Sequence, residues 1–176
     1  MKEIEVKILN VDKQKIGEIL LQLGAKQTFD DEITTFFFDF KNGSIVNAKN
    51  VLRLRKEGKQ SVLMFKKILS KQSAKVAEEY EVEVSNLTKM QRILELIGLA
   101  VIEDIQKHRT SYQLNEVQFD LDTLKNKYAY IPTYLEIEAK NIKMIHKYAK
   151  ILGYRVEDCL PWTTNELLNF FSLKKN

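Results

Sequence analysis

Glu3, Glu5 and Lys7 stand two residues apart at the start of the chain, alternating with Ile4, Val6 and Ile8. Two further Glu-x-Glu pairs, Glu81/Glu83 and Glu136/Glu138, sit in the same alternation. Basic residues recur in the same way, as Arg53/Arg55, Lys66 and Lys107/Arg109, and Asp120/Asp122 form one more acidic pair. Arginine offers forked donors that match phosphate oxygens, and lysine offers a compact charge. Cations alone would bind any polyanion, and carboxylates would repel it. Both signs in quantity imply an oxygen-loving divalent ion, Mg²⁺ or Mn²⁺, bridging carboxylate and phosphate. Such a set suits a metal-bound polyphosphate better than a monophosphate.

Period-two alternation is the mark of a half-buried strand. It predicts strands over 2–8, 33–40, 51–55, 61–66, 79–84, 105–114, 117–122 and 135–140, with Asn42-Gly43 as a turn signal. Helical spacing follows three of the Glu-x-Glu strands. Ile16, Ile19, Leu20 and Leu23 lead to Gly24; Leu87, Met90, Leu94 and Ile97 lead to Gly98; Ile142, Ile145, Ala149 and Leu152 lead to Gly153. Asn10 or Asp12 can cap the first of these helices. A last helix begins at Thr163 with Glu166 three residues on, a capping box, and carries Leu167, Leu168, Phe170 and Phe171. About eight strands with helices between some of them make an α+β protein.

In nearly every strand the ionisable residues share one parity and the aliphatic or aromatic residues the other. If the apolar faces pack beneath the helices, the charged faces share one side of the sheet. Like charges across neighbouring strands destabilise a sheet, so something must hold three Glu-x-Glu pairs there. Closing the sheet into a barrel points them inward, and eight strands leave room for side chains or one small ligand. The expected lining is Lys7, Arg53, Arg55, Lys66, Lys107 and Arg109 with Glu3, Glu5, Glu81, Glu83, Asp122, Glu136 and Glu138, and Asp120 by parity. Read singly, each strand is equally compatible with a solvated polar face.

The chain's 176 residues fit one domain, 1–176, and its 44% apolar residues suffice for a core. A net charge of +4 built from both signs argues against a dedicated duplex nucleic-acid tail. Cys159 is alone, so no internal disulfide forms, and no Cys/His cluster has zinc spacing. The N-terminus is charged from Lys2 onward and no apolar run has membrane length, so a cytoplasmic protein without signal peptide or membrane partner is expected.

The residues above resemble, in order, the motifs of the CYTH superfamily, the triphosphate tunnel metalloenzymes. Glu3-x-Glu5-x-Lys7 resembles its N-terminal signature, LRLR (52–55) its Arg-x-Arg strand, and LMFK (63–66) its single-lysine strand. YEVEV (80–84), KHR (107–109), LD (121–122) and LEIE (135–138) resemble its remaining elements. LEIEA and the helix ending in ILG look most like the class IV adenylyl cyclase branch. Two features depart from the pattern. KYAYIPTYLEIE has Pro132 and no glycine where the family has a Gly-rich stretch, and Glu79 stands where Arg is common.

The resemblance implies an antiparallel eight-stranded barrel forming a tunnel, with helices outside. It implies a divalent metal, Mg²⁺ or Mn²⁺, and a triphosphate substrate: ATP, thiamine triphosphate or tripolyphosphate. Lys7, Arg53, Arg55, Lys66, Lys107 and Arg109 would hold the phosphates, the first four taking the catalytic role. Glu3, Glu5, Glu81, Glu83, Asp122, Glu136 and Glu138 would hold metal. Hydrolysis needs only the phosphate site; cyclisation of ATP to cyclic AMP and pyrophosphate is the alternative, and a non-catalytic polyphosphate or nucleotide sensor a third. The protein is expected as a monomer or homodimer. His108 has the wrong parity for the lining, His146 lies on a helix, and Cys159 reads as packing. Trp162 would staple the last helix to the barrel, and Phe37 could line the tunnel mouth and meet a base or thiazole ring.

Overall fold

A computed structural model describes the backbone of residues 2–173 and the side chains of residues 4–173. Eight strands are present: β1 (Lys2–Ile8), β2 (Lys26–Phe40), β3 (Asn50–Glu57), β4 (Gln60–Lys71), β5 (Lys75–Glu83), β6 (Leu99–Leu114), β7 (Val117–Leu124) and β8 (Tyr134–Ala139). They close into an antiparallel barrel in the order β1-β5-β4-β3-β2-β6-β7-β8. The β1/β5 seam is short, running from Lys2↔Glu78 to Glu5↔Lys75. Past it, the Lys7 and Leu160 backbones exchange two hydrogen bonds of 2.8 Å, so the C-terminal segment completes the wall.

Five helices accompany the barrel: α1 (Lys13–Gln22), α2 (Ser44–Asn47), α3 (Leu87–Leu96), α4 (Ile142–Ile151) and α5 (Thr164–Leu173). Asp12, Asn86 and Asn141 cap α1, α3 and α4, each side chain accepting from the backbone N–H three residues on. α1 and α4 end in a left-handed glycine, Gly24 (φ 85°) and Gly153 (φ 88°), that turns the chain directly into the next segment. Among the described residues no helix is long and apolar enough to cross a membrane.

The two parities separate as the alternation requires. Val6, Ile8, Phe119, Leu121, Leu135 and Ile137 face outward and pack against Ile16 and Leu20 of α1 and Ile145 and Ala149 of α4. Phe119 meets Tyr148 edge to face at 5.5 Å. α3 lays Leu94 over Phe38, Leu54, Val84 and Leu99 on the other side. Each such fully buried side chain contributes about 1.5–3 kcal/mol, so this outer layer carries the stability.

α5 sits differently. Its Leu167 and Leu168 pack on Ile105, Leu124 and Tyr134, which share the inward parity, so α5 covers one end of the barrel. Thr163 and Glu166 form the capping box, and Trp162 rests on Phe170 with ring centroids 4.9 Å apart. Several strands also exceed the alternating segments that announce them: β4 gains 67–71 and β5 gains 75–78. β2 gains 26–32, held by ladder bonds to 108–113 of β6, and β6 gains 99–104, held by ladder bonds to 36–40 of β2; both are mostly exposed stretches.

Asp39, at the end of β2, accepts from the N–H groups of Phe40, Ile45 and Val46 at 2.7, 2.9 and 2.9 Å and fastens α2 to the rim. Burial would raise its pKa, but these three donors lower it below the ordinary carboxylate value. The stabilisation is therefore complete above an unfolded pKa of about 3.9 and is lost as pH falls through the folded one. Asp39→Ala should cost about 2 kcal/mol. Urea unfolding of the two proteins between pH 3 and 7 should show the difference shrinking at the acid end.

Candidate active site

Inside the barrel lies a cavity of about 360 Å³, within the roughly 300–1,000 Å³ range usual for small-molecule sites. β3 contributes Arg53 and Arg55, β4 Lys66, β5 Lys75, Glu79 and Glu81, β6 Lys107 and Arg109, β7 Gln118 and Asp120, β8 Glu136 and Glu138, and β1 Glu5. Alternation within each strand explains the convergence, because residues two apart point to the same face.

The floor is a tight ionic lattice. Arg109 donates to both Asp122 oxygens at 2.7 and 2.6 Å, to Asp120 at 2.5 Å and to Glu136 at 2.7 Å. Lys107 donates to Asp122 at 2.6 Å. Lys7 bonds Glu136 and lies 3.4 Å from Glu5. Glu5 in turn holds Lys66 at 3.1 Å and pairs with Lys75, and Lys66 also pairs with Glu79. Burial pushes the Glu136 carboxyl up, but Lys7, Arg109 and Lys107 outweigh it and hold it well below the usual range. Burial likewise pushes Glu5 up, and Lys75, Lys7 and Lys66 bring it down. Burial pushes Asp120 up and prevails over Arg109, with the Asp122 charge adding to it.

The β3 arginines are less neutralised. Arg53 Nε and Nη2 rest 3.1 and 2.8 Å from the Met64 thioether, and among the described residues Arg53 makes no ion pair. Arg55 has Glu57 2.7 Å from its Nε. Burial, and then the charge of Arg53, push Arg55 down to about 10. Two guanidiniums held on one cavity wall at electrostatic cost have the donor chemistry that an anion requires.

Most of the expected lining meets here, with distinctions that parity could not make. Lys7 and Asp122, the latter 0% exposed, lie beneath the cavity surface and position Glu136, Lys107 and Arg109 from below. Glu83 is exposed opposite Val62 and does not line the cavity. The backbone of Glu3 pairs with Ala77; its side chain lies outside the described residues. Lys75, with Lys49 and Lys71, lines the cavity although the alternation analysis missed it, since its strand was begun at Glu79. Extending the parity of Glu79 back through Ala77 reaches it. Glu79 takes the inward place on β5 that a reading of the Glu-x-Glu pair alone assigns to Glu83.

His108 contacts Lys13 (3.2 Å) and Asp30 (3.6 Å), away from the cavity lining. Burial pushes the Cys159 thiol up to about 11, so it is a packed group and not a nucleophile.

The acidic members offer only oxygen donors, which is the chemistry Mg²⁺ or Mn²⁺ takes. Among the described residues no three acids are gathered tightly enough to hold an ion by themselves. That fits Mg²⁺, which uses one or two carboxylates and completes its shell with phosphates and water.

A CYTH domain family model matches residues 1–161. A Methanocaldococcus jannaschii protein named as a candidate adenylate cyclase is 27% identical over 160 residues, covering 89% of this chain and 87% of that one. A solved protein of Pyrococcus horikoshii superposes with a TM-score of 0.79 at 28% identity, over 94% of this chain and 98% of its own. A Hippeastrum protein, a candidate adenylyl cyclase described as having a dominant triphosphatase activity, shares the fold at a TM-score of 0.62 and 19% identity, over 86% and 88% of the two chains. The barrel, the converging charges and the match along nearly the whole length agree: this chain belongs to the CYTH domain family.

Proposed function

We propose that this protein is a divalent-metal-dependent triphosphatase acting on the triphosphate of a nucleotide, thiamine triphosphate or inorganic tripolyphosphate. The observation that carries this reading is the pair Arg53/Arg55, half-buried two residues apart on the cavity wall, with Arg53 unpaired among the described residues and Arg55 paired with Glu57. A polyphosphate chain would relieve their mutual repulsion. The reading takes the chain as one domain over 1–176, supported by α5, which packs into the barrel end although the family match stops at residue 161.

In this mechanism Arg53 and Arg55 grip phosphate oxygens with forked donors, while Lys66 and Lys75 to one side of them in the wall and Lys107 and Arg109 to the other extend the cationic lining. Charge that develops on the bridging and terminal oxygens meets donors already in place, which is the main requirement of phosphoryl transfer. One or two of the carboxylates Glu81, Glu136, Glu138 and Glu5 would hold Mg²⁺ or Mn²⁺, the substrate phosphates and water completing its shell. When bound, the metal supplies neutralisation of phosphate charge and a water of lowered pKa. Lys7 and Asp122 keep the lattice in register from beneath. Cyclisation is the competing reading, supported by the name of the M. jannaschii relative.

Product analysis with ATP, tripolyphosphate and thiamine triphosphate in Mg²⁺ or Mn²⁺ tests this directly. Orthophosphate is the expected product; cyclic AMP with pyrophosphate would replace hydrolysis by the cyclase, and binding without turnover would leave a sensor.

Replacing Arg53 and Arg55 together by Ala should lower kcat/KM by about 10³ or more, with circular dichroism unchanged. Full activity in the double variant would remove the phosphate wall from the mechanism.

Lys75 makes a further prediction. Burial pulls its pKa down to about 8; Glu5 opposes this, but the charges of Lys7 and Lys66 do not let it recover. Between that value and an unfolded pKa of about 10.4 the unfolded chain binds the extra proton, so stability rises with pH across that window. Lys75→Met should lose this rise when denaturation is followed between pH 8 and 10, and should bind tripolyphosphate more weakly.

A further inference from the structure

On the β1 side, β5 is paired along only part of its length. The seam ends at Lys2↔Glu78, and among the described residues no backbone partner reaches the same side of 80–83. Tyr80, Glu81, Val82 and Glu83 run on from it as an exposed stretch of strand. In an antiparallel ladder a residue's N–H and C=O both point to one neighbour, and that neighbour alternates along the strand. Val84 donates to the Ser61 carbonyl of β4 at 2.7 Å, and in the same register Val82 and Tyr80 lie opposite Leu63 and Phe65. Val82 and Tyr80 therefore direct their backbone groups to β4, and Glu81 and Glu83 turn theirs to the open side.

The side chains along this edge separate by face. Tyr80 and Val82, on the outward face, are 61% and 57% exposed, so packing under the helices does not account for them. Glu81 and Glu83 share the inward parity; Glu81 lines the cavity, and Glu83, two residues on, stands in solvent. An open edge admits another strand, and the charges it carries decide which one. Within 80–83 only Glu81 and Glu83 offer backbone groups to the open side. Every antiparallel self-pairing of this stretch therefore sets carboxylate opposite carboxylate, which destabilises a sheet. A strand with lysine or arginine opposite Glu81 and Glu83, and apolar residues opposite Tyr80 and Val82, satisfies both faces.

We propose that 80–83 of β5 is a docking edge for an extended segment of a partner protein in which basic and apolar residues alternate. The segment adds a strand beside β5, its backbone bonding to Glu81 and Glu83. Its basic side chains lie beside those two carboxylates, and its apolar side chains lie beside Tyr80 and Val82. Docking here requires nothing of the reaction in the cavity.

Amide hydrogen exchange followed by NMR tests the edge, and a synthetic peptide tests its occupant. In the free protein the Tyr80 and Val82 amides should be protected, and those of Glu81 and Glu83 should exchange faster by about tenfold or more. A labelled peptide alternating lysine and valine over about seven residues should bind and slow the Glu81 and Glu83 amides. Fluorescence anisotropy should show it binding about tenfold tighter than a peptide of the same composition with its lysines and valines in separate blocks. Glu83→Pro removes an N–H from the open side at an edge position where proline is tolerated. It should abolish the preference for the alternating peptide with circular dichroism unchanged. Glu83→Lys should weaken binding of the lysine–valine peptide by about fivefold and admit a glutamate–valine counterpart. The docking edge is overturned by protected Glu81 and Glu83 amides in the free protein, or by no binding of the alternating peptide. Equal binding of the two lysine peptides, or a preference that neither Glu83 variant moves, overturns it as well. A native dimer in analytical ultracentrifugation that Glu83→Pro dissolves would give the edge to a second copy and overturn the basic partner.

Discussion

A charge taken out of water needs an opposite charge or a bound ion within reach. The interior of this barrel is organised around that constraint. Asp122, Lys7, Lys66, Lys75, Glu5 and Asp120 are all nearly inaccessible, and each has an opposite charge beside it. Removing one member would strand its partner, which costs far more than the pair itself contributes. The lattice is therefore a poor source of net stability and a strong source of order: it fixes side chains that would otherwise move.

Stability comes from the opposite face of the same strands. The aliphatic and aromatic residues that alternate with the charges are buried under α1, α3 and α4, and α5 seals an end with Leu167 and Leu168. This division lets the interior hold an arrangement that a hydrophobic core would exclude. Arg53 and Arg55 show the consequence, because their mutual repulsion is tolerated where the outer layer supports the strand through Leu52 and Leu54.

The tunnel also has a gradient along its axis. Lys66, Lys75, Lys107 and Arg109 surround its middle, while Phe37, Val46 and Ile102 gather at the end near α2. Asp39 and the β6 bulge are the two backbone devices that bring the apolar residues there.

Parity alone, read from alternations such as Ile4/Glu5/Val6/Lys7 and Leu52/Arg53/Leu54/Arg55, determined which residues share a face, and with it the barrel and most of the lining. The helix stops at Gly24, Gly98 and Gly153, and Asp12 as one of two candidate caps, were legible too, since capping is local chemistry. Depth along the axis was decided only by the tertiary structure. Parity treats Glu83, Glu81 and Asp122 alike, whereas strand tilt and register leave the first in solvent, the second on the wall and the third beneath it. The polar extensions of β2 and β6, the early start of β5 at Lys75 and the bulge at Ile102 depend on hydrogen bonds between distant strands. A sequence pattern records which way a side chain faces; how far in it lies is set by neighbours the chain meets only once it has folded.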